Sequence, residues 1–165
     1  MAFRDLNKEI VNCRKCRLWQ TAIQAVPGEG PQCAEMMLVG QNPGEEENKT
    51  GRPFVGRSGK FLNKVLAQNG LNREDMFITS IVKHATPANR KPFQDEIEAC
   101  IPYLKRQILL IKPKKIVLMG TVAWGSPRVN DVKYFETVHP SAAMRFTKMR
   151  RRFLADFSTL SKQIR

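Results

Sequence analysis

A glycine-rich segment and a distant histidine motif contain the residue types most suited to chemistry in this sequence. The segment spans residues 39–56 and begins with the amide-rich run Gly40–Gly44, and the motif is His139–Ala142. Each follows a short apolar run that is typical of a strand, at residues 36–39 and 134–138. Because loops at the carboxyl ends of parallel strands converge on one crevice, we expect amide groups, an aromatic ring and an imidazole to share a pocket.

The apolar periodicity along the chain predicts the elements that must position these residues. Strands are expected at residues 36–39, 76–82, 116–119 and 134–138, and helices at residues 2–12, 58–69, 94–110 and 143–163. We expect Ser58 to cap the second helix, Gly70 to end it, and residues 17–34 to be rich in loops. Alternating strands and helices indicate an α/β fold, a three-layer αβα sandwich with a central, mostly parallel four-stranded sheet. We expect residues 1–165 to form a single domain.

The chain is strongly basic, with 28 Lys and Arg residues against 15 Asp and Glu residues and a formal net charge of +13. This charge fits either solubility in a basic proteome or a polyanionic partner. The cluster Arg145, Lys148 and Arg150–Arg152, directly after the histidine motif, favours nucleic acid. No apolar run approaches the ~18 residues of a membrane span, and the N-terminus lacks the apolar core of a signal peptide. We therefore expect a cytoplasmic monomer that binds DNA and no membrane.

The four cysteines are Cys13, Cys16, Cys33 and Cys100. A disulfide framework is not expected in a cytoplasmic protein. The close pair Cys13-Arg14-Lys15-Cys16 therefore predicts metal or redox chemistry.

Three segments together resemble the uracil-DNA glycosylase superfamily, and within it the family 4 enzymes, which carry an iron–sulfur cluster. These segments are Gly40–Gly44 followed by Glu47, the long and specific run Thr50–Gly59, and the motif His139–Ala142. The resemblance covers nearly the whole chain. It implies a monofunctional DNA glycosylase of base excision repair, a hydrolase that cleaves the N-glycosidic bond of a deaminated base, with uracil as the leading substrate.

The resemblance also implies a metal centre held by Cys13, Cys16, His84 and Cys100. His84 stands where the family has its third cysteine, and histidine replaces cysteine in some iron–sulfur sites. We expect a [4Fe-4S] cluster, with zinc as the second choice because three thiolates and one imidazole also suit a structural zinc site. Cys33 competes for the fourth position but lies outside the family pattern.

Two departures from the family pattern concern the pocket. Gln41 and Asn42 stand where family 4 usually has Glu and a small residue, and they resemble the Gly-x-Asn-Pro-Gly run of mismatch-specific uracil glycosylases. Ser80 stands where the family has the asparagine that reads uracil, and its hydroxyl cannot make the same two contacts to a base edge. Residues 124–138 also form a shorter stretch than the family usually carries.

The resemblance assigns expected roles in three groups. His139 would stabilise the leaving base, and Asn42, with Gln41 and Glu47, would hold water or complement the cationic sugar. Phe54 would stack on a flipped base, with further substrate contacts expected from Gly40, Pro43, Gly44 and Ser80, including backbone N–H groups of Gln41–Gly44. Contacts to DNA are expected from Ser141, Met144, Arg145 and Lys148, with Met144 or Arg145 filling the gap in the base stack.

Four alternatives stay open at this point. Ser80 and Asn42 suit a glycosylase for hypoxanthine, or one for uracil and thymine opposite guanine. Loss of the usual Glu and Asn also suits a catalytically weak nucleic-acid-binding protein, although His139, Phe54 and Glu47 argue against it. A zinc-binding structural module of a larger complex is the last alternative.

Overall fold

Four parallel strands form the centre of the computed structural model, which describes residues 2–164. They are β1 (Met36–Gly40), β2 (Met76–Ser80), β3 (Lys115–Met119) and β4 (Lys133–Thr137), in the spatial order β2-β1-β3-β4. Each neighbouring pair runs parallel. The two strands β1 and β2 are buried along their whole length, as parallel strands covered on both faces must be, whereas the edge strand β4 is partly exposed.

Helices cover both faces of the sheet and complete the predicted three-layer α/β sandwich. They are α1 (Phe3–Val11), α2 (Glu45–Thr50), α3 (Arg57–Gln68), α4 (Gln94–Ile111), α5 (Thr121–Trp124), α6 (Pro140–Arg145) and α7 (Thr147–Ile164). None of the helices between residues 2 and 164 is long and apolar enough to cross a membrane.

Alternate side chains of β1 supply the two faces of the core. Leu38 packs with Leu62 of α3 and Phe153 of α7 on one face. Met37 packs with Leu104 of α4 on the other face. The alternation follows from the two-residue period of a strand, and it explains why β1 is apolar throughout.

A third apolar cluster fastens the N-terminal helix to the outside of the sandwich. Leu6 and Ile10 of α1 pack against Tyr103 of α4, and all three side chains are buried. Arg106 of α4 adds an ion pair with Glu9, with 2.7 Å between Nη1 and Oε2. This packing brings the segment after α1, which contains Cys13 and Cys16, close to α4.

The predicted strands and helices are confirmed, with differences at their ends. Ile81 and Val82 lie beyond β2, where their N–H groups donate to the carbonyls of Gly40 and Gln41. Ser58 does not cap α3, which begins at Arg57 after Gly56, so that prediction is wrong.

Three helical features were not predicted from the sequence, and one of them is the short helix α5 (Thr121–Trp124). The acidic run after Gly44 forms the short helix α2, and its first turn suits carboxylates because of the helix dipole. The expected helix 143–163 begins earlier, at Pro140, and divides into α6 and α7 at Phe146, whose backbone is extended (φ −120°, ψ 126°).

Candidate active site

A cavity of about 410 Å³ opens at the carboxyl edge of the sheet, where the loops after all four strands meet. Most residues predicted from the sequence lie in its wall, which includes Gln41, Asn42, Pro43, Gly44, Glu47, Phe54, Ser80, His139 and Ser141. The expected convergence of the glycine loop and the histidine motif is therefore present. Gly40 lies beneath Phe54, and Met144, Arg145 and Lys148 lie outside the wall on α6 and α7.

The His139 ring is oriented by the start of α6. The backbone N–H of Ser141 donates to Nδ1 at 3.1 Å, and the Ser141 hydroxyl lies 2.7 Å from the same nitrogen. Because a backbone N–H can only donate, Nδ1 must be an acceptor and carry no proton. The proton of the neutral imidazole is therefore on Nε2, which has no hydrogen-bond partner among residues 2–164 and can donate to a bound molecule.

The protonation of His139 follows from its surroundings. Burial lowers the pKa of His139 to about 4, and the carboxylate of Glu47 opposes this shift. The imidazole is therefore neutral at physiological pH. A neutral imidazole N–H at this point of the wall can donate a hydrogen bond to a bound group on which negative charge develops. The imidazole does not first have to take up a proton from solvent.

Phe54 takes a constrained position beside this histidine. The two ring centroids are 5.8 Å apart, with 33° between the ring planes. The backbone of Phe54 has a positive φ of 48°, a conformation that costs energy in a residue with a side chain. Arg73 stabilises it by donating to the carbonyls of Phe54 at 2.7 Å and Pro53 at 2.5 Å.

Two glycines make room for Phe54, and this explains their presence in the motif. A Cβ added at Gly40 would lie 2.8 Å from Cε2 of the Phe54 ring. A Cβ added at Gly59 would lie 2.8 Å from the Cα of Phe54. Both distances are well inside van der Waals contact, so the ring position depends on glycine at both places.

The buried carboxylate of Glu47 fixes the shape of the glycine loop. Oε1 accepts the N–H of Gly44 at 3.0 Å, and Oε2 accepts those of Val55 at 2.7 Å and Gly56 at 2.6 Å. The carboxylate therefore holds the Gly40–Gly44 turn against the segment that carries Phe54. One expectation needs correction here: the N–H of Gly44 is bonded to Glu47, so it is not free to bind a substrate carbonyl.

Three carboxamides meet on one side of the cavity. Gln41 Nε2 donates to Asn42 Oδ1 at 2.9 Å, and Asn42 Nδ2 donates to Pro43 O at 2.9 Å and to Asn89 Oδ1 at 3.4 Å. Asn89 was not identified from the sequence. It comes from the loop after β2 and has a positive φ of 54°, which asparagine tolerates better than most residues.

Ser80 ends β2 with its side chain at the cavity wall, and a buried lysine stands behind it. Lys83 Nζ donates to Ser80 O at 2.7 Å, Thr79 Oγ1 at 2.6 Å and Gln107 Oε1 at 2.8 Å. Burial lowers the pKa of Lys83 to about 7. The sequence suggests an ordinary surface residue at this position, so only the folded chain identifies Lys83 as the support of the end of β2 at the cavity.

The cysteines of the predicted metal centre lie near one another. Burial raises the pKa of Cys16 and the charge of Cys13 adds to this shift, and the charges of Cys16 and Cys13 act in the same direction on the pKa of Cys100. Burial raises the pKa of the Cys100 thiol to about 11, opposed by a hydrogen bond from the Lys83 N–H.

His84 adjoins this cysteine cluster. It is buried, and together with Cys13 it lines a second cavity of about 360 Å³. Among residues 2–164, no three His, Cys, Asp or Glu side chains are already gathered to hold a metal ion. Metal binding at Cys13, Cys16, His84 and Cys100 would therefore require these side chains to move closer together. The competing ligand Cys33 is exposed and lies with Lys114 near the opposite end of the sheet.

The comparisons with known proteins agree with this site. A family model described as "Uracil DNA glycosylase superfamily" matches residues 27–159. The chain is 41% identical over 183 aligned residues to a type-4 uracil-DNA glycosylase of Sulfurisphaera tokodaii, covering 96% of this chain and 83% of that protein. It is 35% identical over 185 residues to a type-4 uracil-DNA glycosylase of Archaeoglobus fulgidus, covering 96% and 91%. It is 31% identical over 153 residues to a type-5 uracil-DNA glycosylase of Pyrobaculum aerophilum, covering 74% and 67%.

The matched region contains the glycine loop, the four strands and the histidine motif, and hence nearly the whole cavity wall. The resemblance inferred from the motifs is confirmed by these matches. This chain belongs to the uracil-DNA glycosylase superfamily, and it is similar to type-4 members over almost its full length.

Proposed function

We propose that this protein is a monofunctional DNA glycosylase that hydrolyses the N-glycosidic bond of uracil in DNA. One observation carries the proposal. His139 is a neutral imidazole whose Nδ1 is occupied by Ser141 and whose Nε2–H is free, in a cavity shared with Phe54. Such a donor suits the departure of an anionic base.

The base must first leave the helical stack and enter the cavity. Phe54 then lies against the face of the flipped base, and its fixed backbone keeps the ring in place before the substrate arrives. As the bond from C1′ to the base nitrogen breaks, electrons move onto the base. The Nε2–H of His139 donates to the carbonyl oxygen on which that negative charge accumulates.

Hydrolysis is completed when the oxygen of a water molecule bonds to C1′ of the sugar and the proton that this water loses neutralises the departed base anion, directly or through solvent. The adjoining amides of Asn42 and Asn89 offer donors and acceptors that can hold this water near the sugar. In this proposal Glu47 acts indirectly, through the shape of the loop and through its charge. Its carboxylate keeps the loop in shape through three N–H groups, and its negative charge favours the cationic sugar.

Ser80 supports a second candidate substrate class. It presents one hydroxyl at the cavity, whereas an asparagine would present a donor and an acceptor to the edge of uracil. A site with fewer polar contacts discriminates less between bases of similar shape. We therefore include hypoxanthine, and uracil or thymine opposite guanine, as candidate substrates beside uracil.

We also propose that Cys13, Cys16, Cys100 and His84 hold a [4Fe-4S] cluster, with zinc as the alternative. Two thiols whose charges act on Cys100, together with the buried imidazole of His84, supply donor types that suit either metal once they are drawn together. The buried Lys83, whose N–H contacts Cys100, would offset the charge of bound thiolates. The role proposed for this centre is structural, because it would join the segment after α1 to α4.

Oligonucleotides that carry uracil, hypoxanthine, xanthine or a G·T mismatch test the proposed function. After incubation with the metallated protein under single-turnover conditions, alkali cleaves any abasic site and reveals excision. We expect the fastest excision from the uracil substrate. A protein that produces no abasic site in any of these substrates would contradict the proposal.

A further inference from the structure

The turn that carries Asn89 into the cavity has a strained backbone. Ala88 and Asn89 have positive φ values of 53° and 54°, a conformation that residues with side chains rarely adopt. The N–H of Asn89 donates to Thr86 O at 3.1 Å, and the N–H of Arg90 donates at 3.2 Å to Pro87 O. A strained turn keeps its shape only where the surrounding structure holds it. The position of Asn89 in the cavity wall therefore depends on what fixes its neighbours.

Arg90, the residue after Asn89, is held by a buried carboxylate. Its Nη1 donates to Glu96 Oε1 at 2.8 Å, and its Nη2 donates to Glu96 Oε2 at 2.9 Å. The guanidinium and the carboxylate therefore meet along two parallel hydrogen bonds. The Glu96 side chain has no exposed surface, whereas 27% of the Arg90 side chain is exposed. A buried pair of this geometry fixes both side chains, because removing one partner leaves the other charge uncompensated.

Glu96 belongs to a firmly packed part of the fold. It lies in the first turn of α4, where its Oε1 also accepts the N–H of Phe93 at 2.7 Å. Further along the same helix, Cys100 and Leu104 are buried in the core against the sheet. The contact between Arg90 and Glu96 therefore ties the Asn89 turn to the sheet through α4.

The other charged groups near Glu96 bind it less closely than Arg90 does. Arg17 Nη1 lies 3.9 Å from Glu96 Oε2, and 51% of the Arg17 side chain is exposed, so solvent screens this contact. Arg17 pairs more closely with Asp95, with 2.5 Å between Nη2 and Oδ2. Arg90 has a second restraint, because its guanidinium lies over the Phe93 ring, 3.7 Å from the centroid. Arg90 is therefore the principal partner of Glu96.

We propose that Glu96 and Arg90 are positioning residues for base excision, whose ion pair holds the Asn89 amide beside Asn42 in the cavity. The inference rests on the proposed function, in which these two amides hold the attacking water. Glu96 and Arg90 both lie outside the cavity wall, so their effect reaches the reaction through Asn89. A displacement of about 1 Å in an active site can lower a rate by about 10²-fold.

Glu96→Gln separates the positioning role from the role of Glu96 at the start of α4. Glutamine can still accept the Phe93 N–H, but its amide has one accepting atom and cannot bond both Arg90 nitrogens side by side. The single-turnover rate of uracil excision at saturating enzyme should fall by roughly 10- to 100-fold, with DNA affinity and metal content unchanged.

The matched control is Glu9→Gln on α1. Glu9 makes the same two-point contact with Arg106, at 2.7 Å and 2.9 Å, outside the cavity wall. This variant should excise uracil at the rate of the unaltered protein.

A double-mutant cycle with Asn89→Ala distinguishes positioning from general support of the fold. If Glu96 acts through the Asn89 amide, adding Glu96→Gln to Asn89→Ala should lower the rate by no more than about 2-fold, because the positioned group is already absent. Equal factors in the presence and absence of the Asn89 amide would overturn the proposal. Arg90→Lys keeps the charge, loses the two-point contact and should give the same pattern, so it replaces Glu96→Gln if that variant does not fold.

Hydrogen exchange measures the order of the turn without any catalytic step. Amide exchange within residues 86–91 should be faster in Glu96→Gln than in the unaltered protein or in Glu9→Gln. Unchanged exchange would overturn the proposal, and so would a loss of DNA affinity large enough to explain the slower excision, since Arg90 would then act as a phosphate contact. If the unaltered protein excises no base, the proposed function fails, and the exchange measurement still decides whether Glu96 holds the turn.

Discussion

Gly40→Ala should damage base binding while leaving the fold intact. The added Cβ would lie 2.8 Å from Cε2 of Phe54, whereas carbon atoms in good contact are about 3.5–4.0 Å apart. The Phe54 ring would therefore have to move by about 1 Å. It cannot move with its backbone, because Arg73 holds the carbonyls of Pro53 and Phe54.

The size of the effect follows from this displacement. A misplacement of about 1 Å in an active site can lower the rate by about 10²-fold. We expect single-turnover excision of uracil by Gly40→Ala to fall by roughly 10- to 100-fold, mainly through weaker substrate binding, since base stacking is worth about 1–3 kcal/mol.

The matched control is Gly125→Ala. Its added Cβ would meet its nearest neighbour, Val122 O, at 3.4 Å, which is ordinary contact. Both variants should unfold at temperatures close to that of the unaltered protein, and only Gly40→Ala should be slow. Normal excision by a folded Gly40→Ala protein would refute the idea that Phe54 must occupy its observed position.

Three further predictions concern pH, base choice and the metal. Because burial lowers the pKa of His139 to about 4, the imidazole stays neutral as the pH falls from 8 to about 5. The plot of single-turnover rate against pH should therefore show no change near the ordinary histidine pKa of about 6.5, and the rate should fall only at more acidic pH. A change in rate near pH 6.5 that disappears in His139→Ala would contradict this prediction. Ser80→Asn restores a donor and an acceptor at the base edge, so the ratio of uracil to hypoxanthine excision should rise; an unchanged ratio in the folded, metallated variant would place base choice elsewhere, in the loop with Gln41 and Asn42. Anaerobically purified protein should be brown and absorb at ~400 nm, and Cys100→Ser should reduce both this absorption and the iron content. Colourless protein that contains zinc would show that the site holds zinc instead of an iron–sulfur cluster. Folded protein without any metal would refute both proposals.

The positions predicted from the sequence are those that depend on local rules. The strand β1 could be placed because a short apolar run bounded by turn residues has few other solutions, and the cavity followed from where parallel strands end. The glycine loop and the His139 motif were identified by residue type and order. Their meeting in one cavity required only the common direction of the strands.

The residues that were missed depend on tertiary contacts. Asn89 and Lys83 follow β2 in a stretch whose sequence resembles an ordinary loop. Their roles are seen only in the folded chain, where Asn89 lines the cavity and Lys83 bonds to Gln107 of α4. Trp124 and Arg152 come from different helices and form one wall because α5 and α7 are both tied to Thr137 of β4, through Trp124 and through Asp156. The break at Phe146 was hidden by helical periodicity on both sides of it.

Glu47 illustrates a third case, in which the residue was found but its contacts were not. An acidic run is usually solvated, and sequence alone cannot tell which of three successive glutamates turns inward. In the fold, only Glu47 of Glu45–Glu47 is buried, because its carboxylate meets the N–H groups of Gly44, Val55 and Gly56.

The central claim is that a neutral His139 donates through Nε2–H to the departing base. The most direct measurement is the single-turnover rate of uracil excision by His139→Ala, beside its binding to the same oligonucleotide. We predict a rate lower by about 10²-fold or more, as for the loss of an oxyanion donor, with DNA affinity almost unchanged. Excision by His139→Ala at the rate of the unaltered protein would contradict the account.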